Sequence, residues 1–299
     1  MPFVNVFIES SCDIRIENNN LVLSNKEKKA TYPIEDINCV MIDCLYSNVS
    51  FYTMQKLSEM GATLIICNEK HLPQSTLLPL SGYYKRLEVL EKQRNISKPK
   101  IKNLWQKIIK QKIYNQAVCL EINDKDGAKS LFEIAKEVVS GDATNQEARG
   151  AVIYFKNLFY KGFTRDSDDF INTMLNYAYS VVRSLVCREL CARGFECAFG
   201  IFHKNKLNAF NLADDVIEPF RPIVDNYVIR VCNNENSLTS NIKRKLFSVV
   251  NVEVISGSEK HSLSNAVERF VESILSFYFD KSDKLCMPEI CGINSHSYE

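Results

Sequence analysis

Between residues 200 and 222 the chain sets one histidine, His203, two adjacent aspartates, Asp214 and Asp215, and a glutamate, Glu218, among Phe210, Leu212, Val216, Ile217 and Phe220. Carboxylates in a solvated loop keep company with serine, glycine and lysine. These keep company with aromatic and aliphatic residues, which predicts a partly buried setting. A buried carboxylate without a partner is costly. A divalent cation held by His203 and Glu218, with a third ligand from elsewhere, would be such a partner. A buried histidine–aspartate pair that satisfies a helix junction would serve as well, and the residue types alone leave both open. Asp215 and Glu218 are three residues apart, so a helical turn would put them on one face. Arg221 would either hold a phosphate or pin Glu218, and Asn205 and Asn208 would orient the loop that carries His203.

The elements that must position these residues read as helices. Asp142 is a plausible cap for a helix over 143–159, in which Glu147, Ala151, Phe155 and Leu158 recur at helical spacing. That places Glu147 on the edge of an apolar face, where it could also simply meet solvent. A long helix follows over about 170–193, with Met174, Leu175, Tyr177, Ala178, Val181, Val182, Leu185 and Val186 inside, and Gly194 ends it. Residues 223–232 and 264–279 also read as helices. The polar segment between them carries no clear period.

Upstream, Lys92, Arg94, Lys98, Lys100, Lys102, Lys107, Lys110 and Lys112 fall in a stretch without one acid until Glu121. Pro99 suits a first helical turn. Ile101, Leu104, Trp105, Ile108, Ile109 and Ile113 recur at helical spacing, which leaves the lysines on the other faces. Lys98, Lys100, Lys102, Lys107, Lys110 and Lys112 would then form a phosphate-binding surface, with a solvated amphipathic helix as the alternative. A further helix is expected over 80–91, with Tyr83, Tyr84, Leu87 and Leu90 apolar.

The first eighty residues are different in kind. Residues 13–17 alternate, 18–20 turn and 21–23 return, the pattern of a hairpin. Residues 39–42 read as a strand buried on both faces, and 63–67 as another buried strand. Ser50 starts a short helix with Phe51, Met54 and Leu57 on one face, ended by Gly61. The expected fold is therefore α+β: a β-rich, sandwich-like N-terminal domain over 1–80, a linker or helix over 81–98, and an all-helical catalytic domain over 99–299.

At 299 residues, 45% hydrophobic and 24% charged, the chain has the composition of an ordinary globular protein, and its net charge of +1 says nothing about partners. No charged, apolar leader and no run approaching about 20 apolar residues is evident, so no membrane span is expected. Eleven cysteines without a C-x-x-C pair fit reduced, buried thiols in a cytoplasm.

Three runs together resemble a known family. They are Gln146-Glu147-Ala148-Arg149-Gly150, Asn172 with Leu175-Asn176-Tyr177-Ala178-Tyr179, and residues 200–225 with His203-x-Asn205-x-x-Asn208-Ala209-Phe210 followed by Leu212-Ala213-Asp214-Asp215-Val216-Ile217-Glu218-Pro219-Phe220-Arg221-Pro222. The family is the CRISPR-associated integrase that inserts new spacers into CRISPR arrays, and the last run is similar to its form in type II systems. The resemblance extends end to end, including the order of β and α parts. It implies that Glu147, His203 and Glu218 bind Mg2+ or Mn2+ and are catalytic, with Asp214, Asp215 and Arg221 in auxiliary roles. It implies attack by a DNA 3′-hydroxyl, a transesterification that joins protospacer to repeat without a covalent protein intermediate. Water in place of the hydroxyl would make the same site a structure-selective nuclease, and a non-catalytic DNA-binding scaffold is the alternative of another class. The implied partners are double-stranded DNA, a second copy in a homodimer and a small ferredoxin-like CRISPR protein. A type II system would add its RNA-guided effector nuclease and a DNA-end-binding adaptation protein.

Overall fold

Asn18 and Asn19 both adopt left-handed backbone, with φ of 48° and 59°. Asparagine tolerates that conformation, and two such residues make the tight turn whose twist matches a hairpin. The computed structural model describes residues 4–26, 28–77, 85–160, 162–231 and 237–295. Strands β1 (Val4–Ile8), β2 (Asp13–Glu17), β3 (Asn20–Ser24), β4 (Lys29–Pro33), β5 (Ile37–Ile42) and β6 (Asn48–Val49) precede helix α1 (Phe51–Glu59), and β7 (Thr63–Cys67) and β8 (Pro73–Leu77) follow it. They form two four-stranded sheets, in the orders β1-β5-β7-β8 and β4-β3-β2-β6. In the first, β5 pairs in parallel with β1 and β7, while β8 runs antiparallel.

Every residue of β5 is buried, because its two faces enter different cores. Val40 and Ile42 join Ile14, Leu21 and Leu57 between the sheets. Cys39 and Met41 face the other way and join the helical core. The expected strand buried on both faces is found, and so is the serine cap: Ser50 accepts a hydrogen bond from the Thr53 amide at the start of α1. Phe51 does not lie on the buried face expected of it. It is 88% exposed, and Thr53 and Leu57 are the buried residues of that helix.

The remainder is built on helices α2 (Arg86–Asn95), α3 (Lys98–Ile122), α4 (Ala128–Glu137), α5 (Gln146–Leu158), α6 (Phe170–Ala192), α7 (Asn211–Val216), α8 (Arg221–Val231) and α9 (Ser240–Phe247). Strands β9 (Val252–Ser256) and β10 (Glu259–Ser262), helix α10 (Leu263–Tyr278) and strand β11 (Pro288–Ser295) complete it. An all-helical C-terminal part is thus corrected. A three-stranded sheet in the order β10-β9-β11 sits among the helices, and its first strand falls in the polar segment that carried no clear period. Val252 and Val254 alternate into the core there, a period of two too short to stand out beside the helices. Helix α2 begins at Arg86 and runs on to Asn95, buries Val89, and leaves Leu87 exposed; Tyr83 and Tyr84 lie outside the described residues. No described helix is long and apolar enough to cross a membrane.

Helix α3 is the axis of this part. Ser97 caps it by accepting from the Lys100 amide, and Pro99 sits in its first turn. Leu104, Trp105, Ile108, Ile109 and Ile113 are all buried, as their spacing predicts. Helices α4, α5 and α8, the 218–220 turn and β11 all pack on it. A buried ion pair, Lys243 Nζ to Asp43 Oδ2 at 2.6 Å, and Tyr177 on the Met41 sulfur tie the first sheet to the helices.

Candidate metal centre and active site

Glu147 stands in the first turn of α5, where the cap differs in detail from its expected form. The helix starts at Gln146 rather than 143, yet Asp142 does satisfy its amides: Oδ1 accepts from Gln146 N at 2.8 Å and Oδ2 from Glu147 N at 3.0 Å. Glu218 opens a single 3-10 turn of residues 218–220 between α7 and α8 and is 4% exposed. Two partners hold it. Arg221 Nε donates to Oε1 at 2.8 Å, and the Lys112 ammonium lies 2.5 Å from Oε2. The same ammonium lies 2.6 Å from Glu147 Oε1. Two carboxylates far apart in sequence thus converge on one cation from α3.

The charges decide the protonation states here. Burial would raise the Glu218 carboxyl, but Lys112 and Arg221 outweigh it and hold it down at about 2. Burial works equally against the Lys112 ammonium, and the two glutamates outweigh that too and raise its pKa. Arg221 also lies over the Tyr179 ring, 4.7 Å from its centroid. Of the two roles the sequence leaves for Arg221, the geometry shows it pinning Glu218.

His203 is held by Asp215, which is fully buried. Asp215 Oδ2 accepts from Phe202 N at 2.9 Å, and Oδ1 accepts from His203 N at 3.2 Å and meets the His203 Nδ1 at 2.6 Å. The hydrogen bond to Asp215 raises the His203 pKa above its ordinary value, against partial burial. Burial pushes the Asp215 carboxyl up in turn, against the imidazole and the two amides. Two backbone amides already donate to this carboxylate, which favours its ionised, acceptor form and the imidazole Nδ1–H as the donor of the third contact. Gly200 makes this approach feasible, since a Cβ there would lie 2.2 Å from the His203 carbonyl oxygen and 2.9 Å from Asp215 Oδ2. From the side, Phe202 stacks on Trp105 of α3 with ring centroids 4.5 Å apart.

The structure brings Glu147 and Glu218 together and sets His203 within electrostatic reach of Glu218. Among the described residues it does not gather three histidine, cysteine, aspartate or glutamate side chains into one ligand cluster. Asp214 turns away from Asp215. Its Oδ2 accepts from Asn208 Nδ2 at 2.7 Å and its Oδ1 pairs with Arg183 at 3.6 Å.

Three positioning residues do not announce themselves in the sequence. Asn211 donates to the carbonyls of Ala198, Asn205 and Asn208 and so folds the His203 loop, more than Asn205 or Asn208 does alone. Asn115 donates to the carbonyls of Pro219 and Pro288, at 2.8 and 2.9 Å, and fixes the Glu218 turn on α3. Lys112 reads from the sequence as one more surface cation. Its position two residues before Tyr114 and three before Asn115 holds no hint that it faces inward, because the apolar stripe beside it already satisfies the helical period.

The other lysines of that run do not form a single surface, and that expectation is corrected. Lys112 points inward; Lys100 pairs with Asp280 and lies over the Phe277 ring; Lys107 donates to the Asp283 carbonyl. Lys107 and Lys110 line a groove of about 1180 Å3 between α3, α4 and the 283–289 segment, away from His203. Lys102 is exposed, with its stem against Gly141. Lys98 joins Arg94, Lys204 and Lys206 around a smaller cleft of about 560 Å3 that opens onto His203 and has no carboxylate in its lining. A helix carrying a lysine every two to five residues spreads them around its axis.

Residues 6–250 match the family model for the CRISPR associated protein Cas1. The chain is 36% identical over 304 residues to the CRISPR-associated endonuclease Cas1 of Neisseria meningitidis serogroup C (strain 8013), with all of both chains covered. The chain belongs to the Cas1 family. Its fold is similar to that of a Cas1 protein from Thermotoga maritima, at a TM-score of 0.72, 15% identity and coverage of 98% and 100% of the two chains. It is also similar to a casposase bound to integration product, at a TM-score of 0.74, 18% identity and coverage of 95% and 92%. The resemblance read from the three sequence runs is thereby borne out, as is a β-rich part followed by a mostly helical one.

Proposed function

We propose that this Cas1 chain is a divalent-metal-dependent DNA integrase of CRISPR adaptation, joining the 3′-hydroxyl of protospacer DNA to the CRISPR repeat by transesterification. The observation that carries this reading is the meeting of Glu147 and Glu218 on one cation, within electrostatic reach of His203, which itself lines a cleft rich in cations. The donor set fits Mg2+ or Mn2+: two carboxylates and one imidazole.

Glu147, Glu218 and His203 would hold the metal, which supplies Lewis acidity at the reacting phosphate. Asp215 fixes the ring of His203 through Nδ1, so that Nε2 is the ligating nitrogen, an arrangement common behind metal-bound histidines. Arg221 fixes Glu218 in the same sense. Arg94, Lys98, Lys204 and Lys206 hold the DNA backbone at the cleft, positioning it without reading its sequence. The partners that fit this reading are double-stranded DNA, a second copy of the chain and a small ferredoxin-like CRISPR protein, with a type II effector nuclease and a DNA-end-binding adaptation protein beside them. The described cysteines are all free thiols, which suits a cytoplasmic protein.

The test is joining of a 3′-hydroxyl-ended duplex to a repeat-containing plasmid, with Mn2+, Mg2+ or EDTA and the partner protein present. Joined product that depends on the metal supports the integrase. Shortened strands without joined product favour the nuclease, and equal DNA binding without any product favours the scaffold.

A further inference from the structure

Among the described residues Lys112 is the one cation that touches both Glu147 and Glu218, and it does so from the middle of α3 with its side chain only 12% exposed. Among the described residues, the charged groups facing it are these two carboxylates, from α5 and from the 218–220 turn, and Arg221, which pairs with Glu218 from α8. Without Lys112, two partly buried carboxylates would meet with no cation shared between them, since Arg221 pairs with Glu218 alone, and bringing like charges together in such a place is costly. The two basic partners are anchored differently. Arg221 is fixed by a directional hydrogen bond and by the face of Tyr179. Lys112 is a point charge on a flexible four-carbon stem. An ammonium in contact with both carboxylates fills the space between them, so a divalent ion bound by both cannot share it.

We infer that Lys112 is a resident counter-cation of the Glu147–Glu218 pair, which holds the two carboxylates together and is expelled when a divalent metal takes its place, while Arg221 stays. This inference rests on the metal-site reading above and adds to it a defined exchange: one ammonium out, one divalent ion in. Metal binding then carries the cost of breaking two ion pairs, which weakens the affinity of the site for a divalent ion. The released ammonium becomes accessible on the face where phosphate must approach.

The test is amine-reactive footprinting of the full-length wild-type protein, read by mass spectrometry, in EDTA and in saturating Mn2+ without DNA. Lys112 should be among the least labelled lysines in EDTA, and its labelling should rise several-fold in Mn2+ while that of Lys98 and Lys102 stays constant. In parallel, Mn2+ affinity is measured by calorimetry for wild type and for Lys112→Met. The variant should bind Mn2+ about tenfold more tightly, the equivalent of about 1.4 kcal/mol, and should gain more in melting temperature from Mn2+ than wild type does. Wild type that binds Mn2+ with Lys112 still protected overturns the exchange and leaves the metal site standing, and this holds even if the variant does not fold. Absence of any Mn2+ binding by wild type overturns both.

Discussion

The Nδ1 of His203 lies 2.6 Å from Oδ1 of Asp215, and Asp215 also receives the backbone amides of Phe202 and His203. One buried carboxylate thus sets the ring, the backbone and the charge of the histidine together. It joins the loop over 199–210 to α7, the helix that leads into Glu218, so the two candidate ligands are not placed independently.

Asp215→Asn should therefore cost more than a lost charge. An amide offers one oxygen to three donors and turns its own N–H groups toward at least one of them. The expected loss is roughly 1–3 kcal/mol of stability for a buried donor left unsatisfied, with strand joining reduced about 10–100-fold through a misplaced His203. Thermal unfolding and the joining assay check the two parts separately. Wild-type joining by the variant would show that the His203 ring does not depend on Asp215.

Gly200→Ala tests the same loop from its backbone. The added methyl would meet the His203 carbonyl oxygen at 2.2 Å, and that atom is backbone and cannot swing away. Overpacking of this kind costs about 1–3 kcal/mol. A melting temperature equal to wild type, with joining intact, would contradict so tight an approach.

Much of this architecture was legible in the sequence. The serine and proline that open α3, the apolar stripe of that helix and the double burial of β5 follow from local chemistry and period. So does the crowding of His203, Asp215 and Glu218 among apolar neighbours, which left a metal site and a histidine–aspartate pair as alternatives; the structure contains the pair, and the pair is compatible with the metal. What was not legible depends on the meeting of distant elements. Lys112 looks like its neighbours until α5 and the Glu218 turn arrive against it, and Asn115 looks like a polar interruption until it meets the carbonyls of Pro219 and Pro288. Of the small sheet only β11 lay out of reach, because it is remote in sequence from the strand it pairs with, whereas the β9–β10 hairpin carries a local signal in its Gly257-Ser258 turn.

Asp225 offers a pH signature near the site. It is buried, accepts from Tyr154 at 2.9 Å and from Tyr179, and burial raises its pKa to about 6. A carboxyl raised in the folded state contributes stability that is full below its unfolded pKa of 3.8 and is lost as pH rises through 6. The stability difference between wild type and Asp225→Asn should accordingly fall, by up to roughly 3 kcal/mol, from about pH 4 to pH 6 and then level off. Denaturant unfolding at a series of pH values gives this difference. A difference that is flat over that window would contradict a protonated Asp225.

The cleft at His203 makes a prediction about salt. Replacing Lys98, Lys204 and Lys206 with glutamine should weaken duplex binding and flatten its log–log salt dependence by about 0.9 for each phosphate that is no longer neutralised. Fluorescence anisotropy over a range of salt concentrations measures that slope. An unchanged slope with a folded protein would remove this cleft from the path of the DNA.

The most direct measurement of the central claim separates chemistry from binding in single-residue variants. Glu147→Gln, His203→Ala and Glu218→Gln are compared with wild type for Mn2+-dependent joining of a 3′-hydroxyl-ended duplex to a repeat-containing plasmid, with duplex affinity measured on the same samples. Each variant should lose joining while keeping duplex affinity close to wild type if, as proposed, lysines and arginine at the cleft hold the backbone whereas a metal on these three residues acts on the reacting phosphate. Joining at the wild-type rate by the His203 variant, or by wild type in EDTA, would contradict a metal-dependent integrase built on Glu147, His203 and Glu218.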